Sequence, residues 1–410
     1  MGDVFNQAYL LEWANLLLRW LHVIVAIAWI GTSFHFVLTD DRLYKPTDPE
    51  SLAKGVDGES WAVHGGGFYH FNKYRVAPKL LPDHLHWSYW ESYSTWLSGF
   101  ALLTVLYFVN ASSFLVDPRV FDWSPGAAIA GAIAYLVVGW VVYDGICRLV
   151  GRDADANGKM QVGGDLKVGV LVFVYVCAAA WVACHLFAGR AAFLLTGAML
   201  ATLMSANVAM VIIPGQRKVV AALREGKPVD PVHGQRGKQR SVHNTYFTLP
   251  VVFAMISNHY GFAYGAKYNW LVLVVLMLAG ALVRVSFVMR HKALVEARPV
   301  PWRYAVVGTL MIVATVGVLM PASQPAVANL PPPSFAEVQA IVQQRCQLCH
   351  NAQLANKNVR LDSADQIHAH AQEIYQQAVV LKVMPMSNAT QITDAERAAL
   401  WRWFEAGAAR

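Results

Sequence analysis

The chain has 410 residues, of which 56% are hydrophobic and only 14% charged, and it carries 14 tryptophans. That balance excludes an ordinary soluble globular protein, whose charged share is nearer a quarter. A formal charge of +7 would suit a nucleic-acid partner, but the basic residues fall between apolar runs, so the partner they imply is a lipid bilayer.

Eight apolar runs of roughly the 20 residues needed to cross a bilayer lie near 16–38, 95–116, 126–147, 168–187, 191–213, 243–262, 269–288 and 304–321. The first is span-length and follows no basic segment, so it reads as a signal anchor and not as a cleavable signal peptide. Cys147, Cys177 and Cys184 lie within such runs and read as packing residues.

Between the first two runs lies a long segment, 39–94. Its second half is too rich in functional side chains for a spacer: four histidines (His64, His70, His84, His86), seven Trp or Tyr residues and the triplet Gly65-Gly66-Gly67. Aromatic planes beside Lys73, Arg75 and Lys79 would suit a flat anionic heterocycle, stacked on its faces and bonded at its edges. His84, His86 and Glu91 are the candidate proton acceptors, and the glycines would permit a close backbone approach. Trp90, Tyr93 and Trp96 also suit an interfacial belt, where such side chains gather.

Ionisable groups inside the apolar runs are costly and therefore functional candidates: Arg19, His22, His35, Asp144, His185, His243, His259 and Arg284. The histidines form two layers, with His22, His185 and His259 at one depth and His35 and His243 at the other. Two layers on different helices are what a pair of bis-histidine b-type haems would need. Interhelical hydrogen bonding is the competing use. His22 and His35 are 13 residues apart, about 20 Å of rise and some 140° around the axis, which is awkward for one straight helix serving both layers.

After a Pro-rich linker at 323–333, Ser334 and Glu337 are spaced as a capping box that opens a further helix. Cys346-Gln347-Leu348-Cys349-His350 is the attachment signature of a c-type haem. Two thiols add to the haem vinyl groups and the adjacent histidine supplies an axial nitrogen. Met384, followed by Pro385 and 34 residues beyond His350, is the expected second axial ligand, with Met386 in reserve. A terminal amphipathic helix over 394–406 completes what looks like a small class I cytochrome c.

The expected fold is therefore all-α. Residues 1–322 form an eight-span bundle with the large 39–94 loop, 323–333 a linker, and 334–410 a cytochrome domain. Haem attachment takes place outside the cytoplasmic membrane, so the last span runs outward, and counting back leaves the N-terminus outside and the 39–94 loop inside. Lysine and arginine agree: 21 fall in the inside loops, and three, Arg119, Arg190 and Lys267, fall outside.

With Gly65-Gly66-Gly67-Phe68-Tyr69, Leu85-His86-Trp87-Ser88-Tyr89-Trp90-Glu91-Ser92-Tyr93, Thr95-Trp96-Leu97-Ser98-Gly99 and the terminal cytochrome motif in this order, the chain resembles the membrane-bound, cytochrome c-fused urate oxidases of bacteria. The resemblance implies oxidation of urate to 5-hydroxyisourate with water as oxygen source. Electrons would leave through the cytochrome to a soluble cytochrome or terminal oxidase of the respiratory chain. It carries over Cys346, Cys349, His350 and Met384 as haem ligands but assigns no urate ligand. Lys73, Arg75 and Trp87 are the substrate-binding expectations from the loop itself. Two other readings stay open: an electron relay from quinol or a partner dehydrogenase with no substrate site, and a metal or haem transporter with a fused redox domain.

Overall fold

The computed structural model describes residues 7–74, 77–79, 81–154, 160–320, 330–353, 355 and 359–410. Helix α1 (Gln7–Asp40) is followed by the short α2 (Pro49–Lys54) and then by a hairpin, β1 (Gly58–His64) and β2 (Gly67–Lys73). Next come α3 (Trp90–Leu103), running on as a π-helical turn to Phe108, α4 (Ala111–Phe114) and α5 (Pro125–Leu149). A second small hairpin, β3 (Arg152–Ala154) and β4 (Met160–Val162), precedes α6 (Asp165–Leu186). Helices α7 (Gly189–Ala206) and α8 (Ile213–Arg224) are one continuous rod joined by a π-helical segment, Asn207–Ile212. The bundle closes with α9 (Pro231–Ile256), α10 (Gly261–Tyr264), α11 (Asn269–Val295) and α12 (Arg303–Val318).

The distribution of apolar side chains fits a bundle surrounded by lipid. Leu16, Trp20, Ile24 and Ile27 project outward along one face of α1, as do Val137 and Val141 on α5 and Val306, Leu310 and Val313 on α12. The interior between helices is made of small residues: Ala128, Ala132, Ala180, Ala183, Ala191 and Ala192 are wholly enclosed, with Tyr143, Phe187 and Phe193 filling the gaps. Small residues let helix backbones approach closely, which is how helices associate where the surroundings are as apolar as the side chains.

Among the described residues five rods are long and apolar enough to cross a membrane, not the expected eight: Tyr9–Asp40, Pro125–Leu149, Asp165–Leu186, Gly189–Arg224 and Asn269–Val295. The other three runs are helical for physical reasons of their own. The 95–116 run starts on a polar turn containing Glu91 and breaks before α4. The 243–262 run is the second half of α9, whose first half carries Arg236, Lys238 and Arg240 and whose apolar half contains Pro250. The last, α12, has only 16 residues.

The all-α expectation also needs correcting. In the 39–94 segment, β1 and β2 pair antiparallel, with His64 opposite Gly67. The turn between them places Gly65 at φ +60° and Gly66 at φ +83°. Two successive positive φ values are what a tight type I′ hairpin turn requires. The glycine triplet thus serves the turn.

The bundle has two distinct ends. At the hairpin end, Arg290 lies 3.8 Å from Asp41, Arg224 donates to the Asp83 carbonyl at 3.1 Å, and Gln239 to Asp165 at 2.8 Å. At the opposite end, the Ala188 amide donates to the Leu115 carbonyl at 2.9 Å and the Trp123 indole to Leu186. Arg119 and Arg190 are at this second end, whereas Arg42, Arg148, Arg217, Arg224 and Arg290 are at the first.

Residues 330–410 form a separate helical unit: α13 (Phe335–Arg345), α14 (Ala364–Ala369), α15 (Ala371–Ile374) with a π-helical continuation to Val380, and α16 (Asp394–Glu405). Most of the linker, 321–329, is outside the described residues. The Ser334–Glu337 capping box forms as expected, and Thr393 and Glu396 make a second at α16. Val338, Val342, Ile367, Leu400 and Trp403 are the core. Arg345 joins α13 to α16 through Glu396 at 2.9 Å. Burial by itself raises the Glu396 pKa, but the Thr393 amide and Arg345 hold it below its ordinary value. Its stabilising effect is thus complete above the unfolded value of about 4.3 and is lost as pH falls through the lower folded value. Glu396→Ala should cost this unit about 1–2 kcal/mol at neutral pH, and the difference between variant and parent in thermal melts should shrink below about pH 4.

Candidate functional site

At the hairpin end the expected loop residues do not converge. Lys73 is ion-paired to Asp40 at 2.7 Å, which fastens the hairpin to the end of α1. His35 contributes to the same joint, edge-on to Phe71 at 6.0 Å between ring centres. Lys79 donates to the Ala53 carbonyl at 2.6 Å, and Trp61 stacks on His70 at 4.2 Å. Trp87, by contrast, is held against α8, where it lines an opening of about 380 Å³ with Arg217, Arg224 and Glu225. Among the described residues no hydrogen bond, ion pair or ring contact joins Lys73 to Trp87. His84 and His86 are exposed beside it and Glu91 is half-buried in the first turn of α3. Arg75 lies outside the described residues. Of the expected belt, Trp90 is exposed, but the Trp96 indole bonds Thr202 at 3.1 Å and so packs between helices.

One helical layer deeper, polar side chains converge inside the bundle. Arg240, 4% exposed at its side chain, is 2.7 Å from Asp144, which also pairs with Arg148 at 2.6 Å. Arg240 donates to Asn207 Oδ1 at 3.2 Å, and Asn207 Nδ2 donates to the Tyr143 hydroxyl and to Asn244 Oδ1, both at 2.9 Å. The Tyr143 hydroxyl lies 2.8 Å from His243 Nδ1. Asn207 is central because the π-helical segment beginning there reshapes the rod, a local widening that recurs at functional sites. The chain of hydroxyl, amide, guanidinium and imidazole groups can carry a proton or hold a charge in a low-dielectric interior. Asp144 and His243 stood out in the sequence as ionisable groups in apolar runs. Asn207 and Tyr143 did not, because a single neutral polar residue in such a run carries no distinctive signal.

Of the remaining histidines in apolar runs, His22 and His185 have local partners, as His35 does in Phe71. His22 Nδ1 lies 3.0 Å from Ser98 Oγ, and its ring fits against Gly99, where any Cβ would meet it at 2.8 Å. His185 Nδ1 faces the Trp181 carbonyl at 2.7 Å, with the two rings stacked at 4.2 Å. His259 ends the turn after α9. No hydrogen bond or ring contact joins any two of His22, His35, His185, His243 and His259. Among the described residues no three His, Cys, Asp or Glu side chains converge as a metal site.

In the C-terminal unit Cys346 and Cys349 are free thiols. Burial pushes the Cys346 thiol up to about 11, the opposite direction from the lowered pKa of a reactive thiolate. His350 Nδ1 lies 3.1 Å from the Val359 carbonyl. That bond fixes the ring through Nδ1, the kind of second contact that orients histidines at metals. The Met384 carbonyl accepts from Arg397 at 2.9 Å, while Met386 Sδ is 3.8 Å from Arg190 of the bundle. Arg190 thus engages Met386, whereas Met384 is anchored by its backbone, its thioether having no hydrogen-bond partner among the described residues. The same loop sits on Gly261, where a Cβ would collide with Val383 and fall 2.9 Å from the Leu381 carbonyl oxygen.

Removing Asp144 would leave Arg240 buried with a single neutral acceptor. Asp144→Ala should therefore lower stability on the order of 3 kcal/mol, measured by thermal unfolding in detergent, with Asp144→Asn losing less.

No curated protein and no solved structure matches this chain. The family model described as urate oxidase N-terminal matches residues 8–330, which takes in the hairpin, the whole bundle and the buried polar cluster. The chain belongs to the urate oxidase N-terminal family.

Proposed function

We propose that this protein is a membrane-bound oxidoreductase that converts urate to 5-hydroxyisourate with water as the oxygen source, releasing two protons and two electrons. The electrons go to a cytochrome c domain at 334–410 and then, singly, to a soluble cytochrome or terminal oxidase. The single observation that carries this reading is the joining of a urate oxidase family bundle to a Cys346-x-x-Cys349-His350 unit whose histidine is already oriented by Val359.

Cys346, Cys349, His350 and Met384 fit a covalently held haem c in donor chemistry: two free thiols, an imidazole with Nδ1 engaged, and a thioether. Bound there, the haem would supply a one-electron acceptor. The chain's own residues do the rest. Loop 39–94 and the adjoining helix ends receive the substrate on the cytoplasmic side, as expected for the basic end of the bundle. The Asp144–Arg240–Asn207–Tyr143–His243 cluster takes up and passes on protons, and Arg190, Gly261 and Met386 seat the C-terminal unit on the periplasmic end. The location this implies is the bacterial inner membrane.

A hydrocarbon layer of roughly 30 Å separates the two ends, so the electrons need intermediate stations. His22, His185 and His259 in one layer and His35 and His243 in the other are the residues we propose for one or two b-type haems. In His22, His185 and His243, Nδ1 faces a neighbouring group and Nε2 is the ring nitrogen left for iron.

Anaerobic addition of urate to the oxidised, detergent-purified protein should reduce the haem c absorption band without oxygen. A band that stays oxidised with urate but is reduced by a quinol would overturn this reading in favour of a relay without a substrate site.

A further inference from the structure

A buried arginine in an apolar bundle has to be answered by an oxygen. Arg240 is answered by Asp144 and Asn207, but Arg284 is not. Its residue is 2% exposed, and its Nε and Nη2 are buried with no hydrogen-bond partner among the described residues. The guanidinium lies 3.8 Å over the Phe34 ring. Stacking of that kind uses the face of the group and leaves its edge donors unspent. Nε and Nη2 form one such edge, the pair that makes bidentate contact with two adjacent acceptors. A desolvated cation left in this state is expensive. Ionisable groups held at membrane depth are ordinarily there for function.

The opening nearest that edge lies one turn above it, and Arg284 sits beneath its floor, outside its lining. Phe34, Leu38 and Asp41 recur along one face at the end of α1, and Arg284, Phe287 and Arg290 along one face of α11. Between these faces and Trp302 opens a cleft of about 360 Å³, lined by Leu38, Asp41, Arg42, Phe287, Arg290 and Trp302. That volume is in the range of small-molecule sites. Arg284 lies one turn below it, with Asp41 and Tyr246 in electrostatic reach. The walls are fixed: Ser286 Oγ donates to the Pro301 carbonyl and accepts from the Ala305 amide, both at 2.9 Å, pinning Trp302 to α11. Phe287 and Trp302 meet edge to face at 5.6 Å, so the cleft is aromatic inside, with the Arg42 and Arg290 cations and the buried Asp41 carboxylate in its lining.

We infer that Arg284 is the anion-binding residue of this chain, and that the cleft between α1, α11 and α12 takes a planar heterocyclic monoanion whose deprotonated ring nitrogen and neighbouring carbonyl oxygen meet Nε and Nη2. On the function proposed above, from which this ligand identity follows, the anion is urate. The binding site is then the bundle cleft, and the hairpin fastened to α1 by Lys73 and Asp40 stands beside its mouth.

The test is equilibrium dialysis of radiolabelled urate against the full-length, haem-loaded protein held fully reduced and anaerobic, so that bound urate is not consumed. The parent should bind saturably. Arg284→Gln should weaken binding at least about tenfold, as expected for losing charge-assisted bonds, with haem c content unchanged and Arg284→Lys intermediate. Leu38→Trp, which fills the cleft without altering the cation, should weaken it similarly and decides the matter if Arg284→Gln does not accumulate. Parent-like binding in either folded variant overturns the site while leaving the function standing. A parent that neither binds urate nor is reduced by it overturns the function, and urate as the ligand with it.

Discussion

The pairing of Arg240 with Asp144 is the interaction on which the rest of the bundle depends. It joins α9 to α5, and through Asn207 it reaches the long α7–α8 rod, so three of the principal helices are registered by one charge. Apolar packing alone would tolerate sliding, because alanine surfaces such as those of α5, α6 and α7 offer little to distinguish one register from the next. A buried cation does not tolerate it, since a shift of one residue would leave it without an acceptor. The Tyr143–His243 contact inherits its geometry from that registration. So does the close fit of Gly139 against Met199, where a Cβ would lie 2.6 Å from Met199 Cγ.

The molecule divides into two ends with different chemistry. One gathers basic side chains, a hairpin and two openings among helix ends. The other presents Arg190, Phe114 and Gly261 to the C-terminal unit. Arg190 serves both sides of that junction, its guanidinium 5.3 Å over the Phe114 ring while its Nη1 approaches Met386. Under the proposed function, substrate handling and electron delivery fall to opposite faces of one bundle, with polar residues buried between them.

What the sequence made legible follows from local rules. The capping box at Ser334, the His350 motif and the apolar rods all rest on spacings that leave little freedom. The hairpin was hidden because Gly65-Gly66-Gly67 has two uses, a close approach or a tight turn, and only pairing with the Trp61 strand distinguishes them. The span count failed where composition is mixed along a single helix. The polar opening of α9 belongs to the same rod as its apolar half, and α12 is simply short. Of the loop residues grouped by sequence proximity, Lys73 was separated by the fold from Trp87, His84 and His86, because β2 returns to α1 while Asp83 and Trp87 lie against α8. Arg284 was visible as an ionisable residue in an apolar run. Its lack of a partner was not, since that depends on what α1 and α9 place opposite it.

The junction at Gly261 has a consequence for the kinetics of electron delivery. It is small, resting on one glycine, one thioether contact and a few side chains, and a separate protein of this size would be held only weakly by it. A covalent tether changes the reckoning: a module that cannot diffuse away meets its dock at an effective concentration in the millimolar range, roughly independent of how much protein the cell makes. A weak dock on a tether fills quickly and empties quickly. Under the proposed function, the C-terminal unit can collect one electron, leave its seat, discharge to a soluble acceptor and return, twice for each urate.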